Sequence, residues 1–303
     1  MVNQEVIVNN QMQEKIFYRN PDFPMARFLD QFDYFADGGY LCHWHPEFEF
    51  AVVLQGRIEF QLDQQVFTIE AGDGIFINSQ VLHSARQLCP SSLLFNIEFP
   101  ANLFNTVATS SLYQKYFRPS STKKAIGYAI SHKTPEGEIL LNQLRAIHAL
   151  DPNCFTYELI CMESIFSIWR NLLALLNQSG EAEPQSEDIR REHRTRKMLT
   201  FIQSHFSEQL SIEDIAAAAN VSRSECFRCF SDFCHCAPIE YVNQYRVHFA
   251  AQKLTDTDES VSEICYACGF SSTSYFSRAF RKIYGVSPSD FRKDGGINGK
   301  SFN

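Results

Sequence analysis

A pattern in the C-terminal third of this 303-residue chain recurs after 49 to 50 residues, and it restricts the fold of that region more than any other feature. Ile212, Ile215, Ala216 and Ala219 stand at i, i+3, i+4 and i+7, and Val261, Ile264, Cys265 and Cys268 repeat the spacing 49 residues later. Beyond the turn the offset becomes 50: Arg228 matches Arg278, Phe230 matches Phe280, Pro238 matches Pro288 and Tyr241 matches Phe291. Each copy predicts a short amphipathic helix, a tight turn (Asn220-Val221-Ser222; Gly269-Phe270-Ser271) and a second helix that opens with serine. Asn and Gly tolerate the positive φ such a turn requires, and Ser caps orphan N–H groups at a helix start. Two short helices joined this way form a helix-turn-helix, whose second helix enters a DNA major groove and brings its N-terminal half to the base edges. Between the copies, Pro238–Leu254 reads as one helix with Tyr241, Val242, Tyr245, Ala250 and Leu254 on its apolar face. Such a helix is about 25 Å long, enough to hold two recognition helices in successive grooves about 34 Å apart.

The residues facing DNA follow by elimination. In the second recognition helix Phe276, Ala279, Phe280 and Ile283 form the buried stripe, leaving Thr273, Ser274, Ser277, Arg278, Arg281 and Lys282 outside it. In the first, Cys226, Cys229, Phe230 and Phe233 are core, and Arg223, Ser224, Phe227 and Arg228 face outward. Arginine can bridge guanine O6 and N7, which makes Arg278 the leading base reader; Arg281 and Lys282 suit phosphate. The Cys226-x-x-Cys229 and Cys265-x-x-Cys268 pairs fall on core positions of the repeat, where cysteine serves as a small hydrophobe rather than a zinc ligand. Cys234 and Cys236 are left open.

The formal net charge of -8 belongs to the N-terminal part: from Glu187 onward there are 15 Lys+Arg and 15 Asp+Glu, against 12 and 20 before it. Net charge therefore neither supports nor excludes nucleic acid; what matters is whether the basic groups share a face. The start, MVNQEVIVNNQMQEK, lacks the pattern of a secretory signal, no uninterrupted apolar run reaches a membrane-spanning length, and ten cysteines in such a chain point to reduced cytosolic thiols. The expectation is a cytoplasmic protein with no membrane partner.

Over Ile264–Arg292, I-C-Y-A-C-G-F-S-S-T-S-Y-F-S-R-A-F-R-K-I-Y-G-V-S-P-S-D-F-R, the chain resembles the AraC/XylS family of transcription regulators. The family pattern of Gly-Phe, Tyr-Phe-Ser-Arg-x-Phe-Lys and Gly-x-x-Pro-x-x-Tyr-Arg is matched with Arg281 for Lys and Phe291 for Tyr. The first copy departs further, with His235 in place of Gly285 and Ser231 in place of Arg281, which implies a weaker grip on phosphate. The resemblance implies double-stranded DNA as partner, groove contact by Arg228 and Arg278, a homodimer, and RNA polymerase as a further partner.

From about Gly38 to Pro100 the chain reads as short strands, among them Phe48–Leu54, Arg57–Leu62, Val66–Ile69, Gly74–Ile77 and Ser92–Phe99, with turns at Gln55-Gly56, Asp63-Gln64 and Ala71-Gly72-Asp73. Strands this short and close suggest a barrel or jelly roll. His43-Trp44-His45-Pro46-Glu47-Phe48-Glu49 with Gly56, and Gly72-Asp73 followed by His83, resemble the two cupin motifs, although Asn78 and Gln80 replace the Pro and Gly of the second. In metal-dependent cupins the matching residues, here His43, His45, Glu49 and His83, hold a divalent metal; many AraC-type sensor barrels share the motif without being enzymes. Two readings stay open. One is an effector pocket lined by His43, Trp44, His45, Glu49, His83 and Arg86, taking a sugar or another polar metabolite, with no cofactor and no catalysis. The other is a metal-dependent cupin enzyme fused to a DNA-binding domain.

Two helices are expected across 136–177, separated by Asp151-Pro152-Asn153. They resemble the dimerisation helices of the family, and Leu140, Leu144, Ile147, Ile165 and Trp169 supply more apolar stripe than a surface helix needs. The expected fold class is α+β multidomain: a cupin-like jelly-roll sensor (1–135), a helical dimerisation segment (136–177), a polar linker (178–188), an all-α double helix-turn-helix domain (189–293) and a flexible tail (294–303).

Overall fold

The computed structural model describes residues 2–3, 14, 16–107, 115–116, 125–179 and 186–293. The N-terminal half is a two-sheet barrel. Its strands are β1 (Val2–Asn3), β2 (Ala26–Gln31), β3 (Gly39–His43), β4 (Glu47–Gln55), β5 (Arg57–Leu62), β6 (Gln65–Glu70), β7 (Gly74–Ile77), β8 (His83–Gln87), β9 (Leu93–Pro100) and β10 (Gly127–Ile130). One sheet runs β1-β2-β9-β4-β7-β10 and the other β3-β8-β5-β6. The expected strands recur within a residue at each end. β2 and β10, outside the stretch read as strands, complete the larger sheet by pairing with β9 and β7.

Strand alternation sorts the two faces of β4. Phe48, Phe50 and Val52 point out of the barrel and join Phe76, Phe95, Ile97 and Phe99 in one buried layer. Ala51 and Val53 point inward, into a second core with Phe32, Phe60, Ile75 and Leu94. Glu47 and Glu49 share this inward parity, so the same strand is apolar at one end of the barrel interior and acidic at the other.

The outer layer is covered by α1 (Pro135–Ala149) and α2 (Tyr157–Ser179). Thr134 caps α1 by accepting from Gly137 N at 3.2 Å, and Pro135 occupies the first helical position, where its missing N–H costs nothing. Leu140, Leu144, Ile147, Ile165 and Trp169, expected to form a dimer stripe, are instead buried against the sheet. The correction has a simple cause: the sheet presents an aromatic outer face, and each large side chain laid on it contributes about 1.5–3 kcal/mol. The same packing accounts for the mean hydropathy of 1.5 across Tyr157–Gln178, apolar enough by composition to cross a membrane. Phe155, Leu159 and Phe166 remain on the outer side of this layer, Phe155 99% exposed and Leu159 72%.

The polar segment expected as a linker is shorter than 178–188. Helix α2 runs through Ser179, α3 (Ser186–His205) begins inside the segment, and 180–185 lie outside the described residues, as does the expected tail at 294–303. The helical domain follows with α4 (Ile212–Ala218), α5 (Arg223–Cys234), α6 (Pro238–Asp256), α7 (Val261–Ala267), α8 (Thr273–Tyr284) and α9 (Pro288–Lys293). The repeat is carried into detail. Ser211 and Ser260 form capping boxes with Asp214 and Glu263, and Ser222 and Ser272 cap the two recognition helices. Asn220 and Gly269 hold the turns at φ 53° and 80°. The cap follows Asn220 by two residues and Gly269 by three, which explains the change of offset from 49 to 50. His235 adopts φ 51° where its counterpart Gly285 has 75°, so the two units end their recognition helices alike despite the different residue.

Helix α6, about 28 Å long at 1.5 Å per residue, serves both units: Tyr241 and Val242 join the core of the first, and Val247, Ala250, Ala251 and Leu254 that of the second. Arg246 pins α3 to it, donating to Phe206 O at 2.7 Å and Glu208 O at 2.6 Å. The barrel docks on the first unit. Cys42 and Leu82 are buried in the same cluster as Met198, Phe230 and Tyr241, and the Tyr241 hydroxyl donates to Cys42 O at 3.2 Å.

Candidate functional site

The two recognition helices present matched outer faces. Phe276, Phe280 and Tyr284 of α8 are buried, as are Cys226, Cys229, Phe230 and Phe233 of α5. Ser274, Arg278, Arg281 and Lys282 are exposed, with Thr273 and Ser277 half-buried; Arg223, Ser224, Phe227 and Arg228 are exposed on the first unit. Arg228 and Arg278 are each the sixth residue of their helix. The basic groups differ in their partners. Arg223 pairs with Glu213 at 2.8 Å, Arg228 approaches Glu225 at 3.6 Å and Lys282 pairs with Glu240 at 3.0 Å. These are surface contacts worth well under about 1 kcal/mol, which a phosphate can displace. At the other edge, α8 touches the barrel's 3-10 turn Ala36–Gly38.

Inside the barrel, His43, His45 and His83 converge. Their rings lie 4.2 to 6.0 Å apart between centroids, and one nitrogen from each falls within 4.8 Å of the others. Each Nδ1 is held by a backbone carbonyl: His43 by Leu41 O at 2.9 Å, His45 by Glu47 O at 3.2 Å and His83 by Val81 O at 2.9 Å. A carbonyl only accepts, so Nδ1 carries the proton in the neutral ring and the Nε2 lone pair points into the barrel. The Nε2 atoms of His45 and His83 face the same Glu49 oxygen at 3.5 and 3.6 Å, without hydrogen-bonding geometry, and His43 Nε2 meets Glu14 at 3.1 Å.

Around this trio the barrel buries Glu14, Asp30, Glu47, Glu49, Glu98 and Asn96. Ionised carboxylates without cations are costly to bury, and the groups respond. Burial, then the fields of Glu14, Glu49, Asp30 and Glu47, push the Glu98 carboxyl well above its ordinary range. Burial holds His83 well below the usual imidazole range, reinforced by His43 and His45. For His45 burial works the same way, but contact with Glu49 and the charges of Glu14, Glu49 and Glu47 outweigh it and raise the imidazole. Among the described residues, Oε2 of Glu47, Oε2 of Glu98 and Oδ1 of Asn96 have no hydrogen-bond partner. The donor set fits a divalent transition cation: three imidazoles tethered at Nδ1, with Nε2 toward the interior, and a carboxylate.

Comparison with known proteins agrees at both ends of the chain. A helix-turn-helix domain matches residues 215–294 and a cupin domain matches 36–91. The HTH-type transcriptional regulator YdeC of Bacillus subtilis is 27% identical over 289 residues, 95% of this chain and 98% of its own. The HTH-type transcriptional activator RhaS of Klebsiella pneumoniae is 26% identical over 264 residues, 83% of this chain and 87% of its own. The chain thus carries a helix-turn-helix domain and a cupin domain, and it is similar over most of its length to HTH-type transcriptional regulators. Among solved structures, fatty-acid-bound ToxT of Vibrio cholerae aligns over 91% of this chain and 97% of its own, with a TM-score of 0.45 at 13% identity. The chain's helix-turn-helix domain implies binding to double-stranded DNA.

Of the residues expected to line the regulator's sensor pocket, His43, His45, Glu49 and His83 are brought together. Trp44 and Arg86 are not. Trp44 falls on the opposite parity from its two histidine neighbours and faces α3, where the Arg196 guanidinium lies 4.7 Å from its ring centre. Arg86 is on the outer face of β8, 66% exposed, and pairs with Glu59 at 2.7 Å. Arg196 also donates to Gln80 O. Gln80, standing where the cupin pattern has glycine, is at φ 64°, in the left-handed region that favours glycine. Sequence reasoning missed Glu14, Asp30, Glu47, Asn96 and Glu98. For Glu47, Asn96 and Glu98 a signal existed: they are polar residues at inward positions of hydrophobic strands. Arg196 and Arg246, which organise the domain contact and the α3 junction, carry no such signal.

Proposed function

We propose that the regulator reads DNA with α5 and α8 in successive major grooves and that occupancy of the barrel interior controls this reading. The observation that carries the first part is the equivalence of Arg228 and Arg278, exposed at the same position of two duplicated helices on one strut. In this reading Arg278 contacts a base edge, Arg281 and Lys282 hold phosphate, and Arg223, Ser224, Phe227, Thr273, Ser274 and Ser277 complete the groove surface. The test is a footprint and binding series on the regulator's own promoter DNA. Arg278→Ala weakens binding by about 1–3 kcal/mol and relaxes preference at one base pair, while Arg281→Ala weakens all sequences alike and lowers the salt slope by about one. Unchanged affinity and preference in Arg278→Ala would overturn the assignment.

The effector acts at His43, His45, Glu49 and His83, and is a sugar or another polar metabolite whose hydroxyl groups meet the unpartnered atoms there. It shifts the DNA-reading arrangement only through different affinity for the two states. Thermal-shift screening of sugars and polar metabolites against the full chain tests this, because a bound ligand raises apparent stability. One observation favours a second reading, a divalent metal ion at the same residues: all three histidines have Nδ1 tethered and Nε2 directed inward. A bound ion there supplies a fixed positive charge among the buried carboxylates. Stoichiometric metal in purified protein, lost in the His45→Ala, Glu49→Ala double variant, would establish it. The regulator acts in the cytoplasm as a homodimer and engages RNA polymerase at its promoters. The dimer surface is the outer side of α2 and the segment before it, through Phe155, Leu159 and Phe166.

A further inference from the structure

Each DNA-reading unit leans on a longer helix, α5 on α3 and α8 on α6, and the repeat extends into these supports at the same 49-residue offset. Met198 and Ile202 of α3 correspond to Val247 and Ala251 of α6, and all four are buried in the core of their own unit. Two polar contacts join support to recognition helix in each unit, at equivalent positions. At the first turn, Arg194 Nη1 lies 3.4 Å from Glu225 Oε1, and its counterpart Asn243 donates from Nδ2 to the Tyr275 hydroxyl at 2.9 Å. At the last turn, Arg191 Nη1 meets Asp232 Oδ2 at 3.3 Å, and its counterpart Glu240 meets Lys282 Nζ at 3.0 Å. The placement is repeated but the sign is exchanged. α8 has Arg281 and Lys282 in its last turn, whereas α5 has Ser231 and Asp232 at the matching positions and no basic residue in its last turn. In the second unit the cation rides on the recognition helix; in the first it rides on the support.

The cations of the first unit gather on one carboxylate. Arg191 and Arg194 both approach Glu225 Oε1 at 3.4 Å and Arg228 approaches Oε2 at 3.6 Å, so Arg194 stands beside the arginine that faces the groove. Exposure divides their work. Arg191 is 13% exposed and held by Glu225 and Asp232 together, whereas the Arg194 side chain is 43% exposed. Arg196, two residues on and about 200° round the helix, faces the barrel instead.

We propose that Arg194 of α3 is a phosphate contact of the first unit, supplying from the support helix the grip that Arg281 and Lys282 supply from α8, with Arg191 as the positioning residue that holds α5 beside it. Its partner is a backbone phosphate of double-stranded DNA bordering the groove entered by α5; the inference rests on the groove reading above. Three guanidiniums face two carboxylates here, which leaves one positive charge in excess. When Arg228 turns to a base edge, Arg191 and Arg194 still neutralise Glu225, so no bare anion faces the DNA. An exposed arginine gives up little by turning part of its fork from a surface carboxylate to a phosphate, which accepts two parallel N–H bonds. The contact adds affinity to the first unit without adding base preference.

The experiment uses the full-length protein, a duplex that the wild type selects from a random pool, and a scrambled duplex of the same length. Affinity is measured from 50 to 200 mM salt. Loss of one phosphate contact in Arg194→Gln lowers the salt slope by about 0.9, so the affinities of wild type and variant draw together by about 3.5-fold across that range. The loss appears on both duplexes, and Arg194→Lys, which keeps the charge, keeps the wild-type slope. Ethylation interference gives an independent reading at single phosphates: one phosphate whose ethylation blocks the wild type no longer matters to Arg194→Gln. An Arg194 that only braced α5 would lower the melting temperature on substitution and leave slope and ethylation pattern unchanged, and that result overturns the proposal. Arg278→Ala, measured in parallel, separates the two levels. If it loses affinity and base preference while Arg194→Gln keeps the wild-type slope and pattern, the α3 contact alone is overturned; if neither variant changes, groove reading falls and the contact with it.

Discussion

Gly269 and Gly285 hold equivalent left-handed backbone, at φ 80° and 75°, but differ in the space around them. A Cβ at Gly285 would meet nothing within 4 Å. A Cβ at Gly269 would lie 2.5 Å from Phe206 O and 2.8 Å from Ser207 C and O, backbone atoms of the turn that follows α3, which cannot rotate away as a side chain could. Alanine at either position incurs the left-handed strain of about 1–2 kcal/mol, partly offset by a stiffer unfolded chain. Gly285→Ala therefore costs about 1 kcal/mol. At position 269 the forced shift of packed backbone adds about 1–3 kcal/mol, for a total near 3. Urea unfolding of the full chain, followed by the loss of helical circular dichroism, measures both. The Gly269→Ala shift should also weaken DNA binding, because the turn sets where α8 carries Arg278. His235→Gly, which relieves the same backbone strain in the first unit, should leave stability unchanged or raise it by up to about 1 kcal/mol. Equal costs at 269 and 285 would refute the idea that α3 locks the turn.

Two further outcomes follow from the packing. Burial alone lowers His248 to about 4, and its Nδ1 lies 3.4 Å from the Tyr284 hydroxyl. The unfolded chain, titrating near 6.5, takes up the proton first, so the neutral imidazole's contribution is intact above about pH 6.5 and is lost as pH falls toward 4. The loss is at most about 3 kcal/mol, and His248→Gln should flatten the dependence of the urea midpoint on pH between those limits. On the barrel, if the proposed dimer forms through this face, Phe155→Ser combined with Leu159→Ser should yield a monomer in light scattering with unchanged circular dichroism, since both side chains are exposed and pack against nothing in their own fold. A dimer that survives would place the interface elsewhere.

Much of the helical domain was legible before any coordinates because its information is local. Period-3.6 spacing marks the buried faces of α4, α5, α7 and α8, serine marks their caps, and Asn220 and Gly269 mark the turns. These are interactions among residues within a turn or two of each other, duplicated in the chain. The barrel was legible only in part: the short strands between Gly38 and Pro100 could be read, but β2 and β10 could not, and the alternation that turns His43 and His45 to one side would have turned Trp44 away from them.

What the sequence by itself determined, then, is the set of elements and the inward or outward sense of each residue within them. The tertiary structure alone decided which of those faces meet. Only sheet pairing brings Asp30, Glu49, Asn96 and Glu98 together, from three strands far apart in the chain, and only docking sets Cys42 against Tyr241 or Trp44 against Arg196. The apolar stripe of α1 and α2 makes the same point. Hydrophobicity requires that it be covered, but is indifferent to whether a second chain or the molecule's own sheet does so, and the sheet, being tethered, was at hand first.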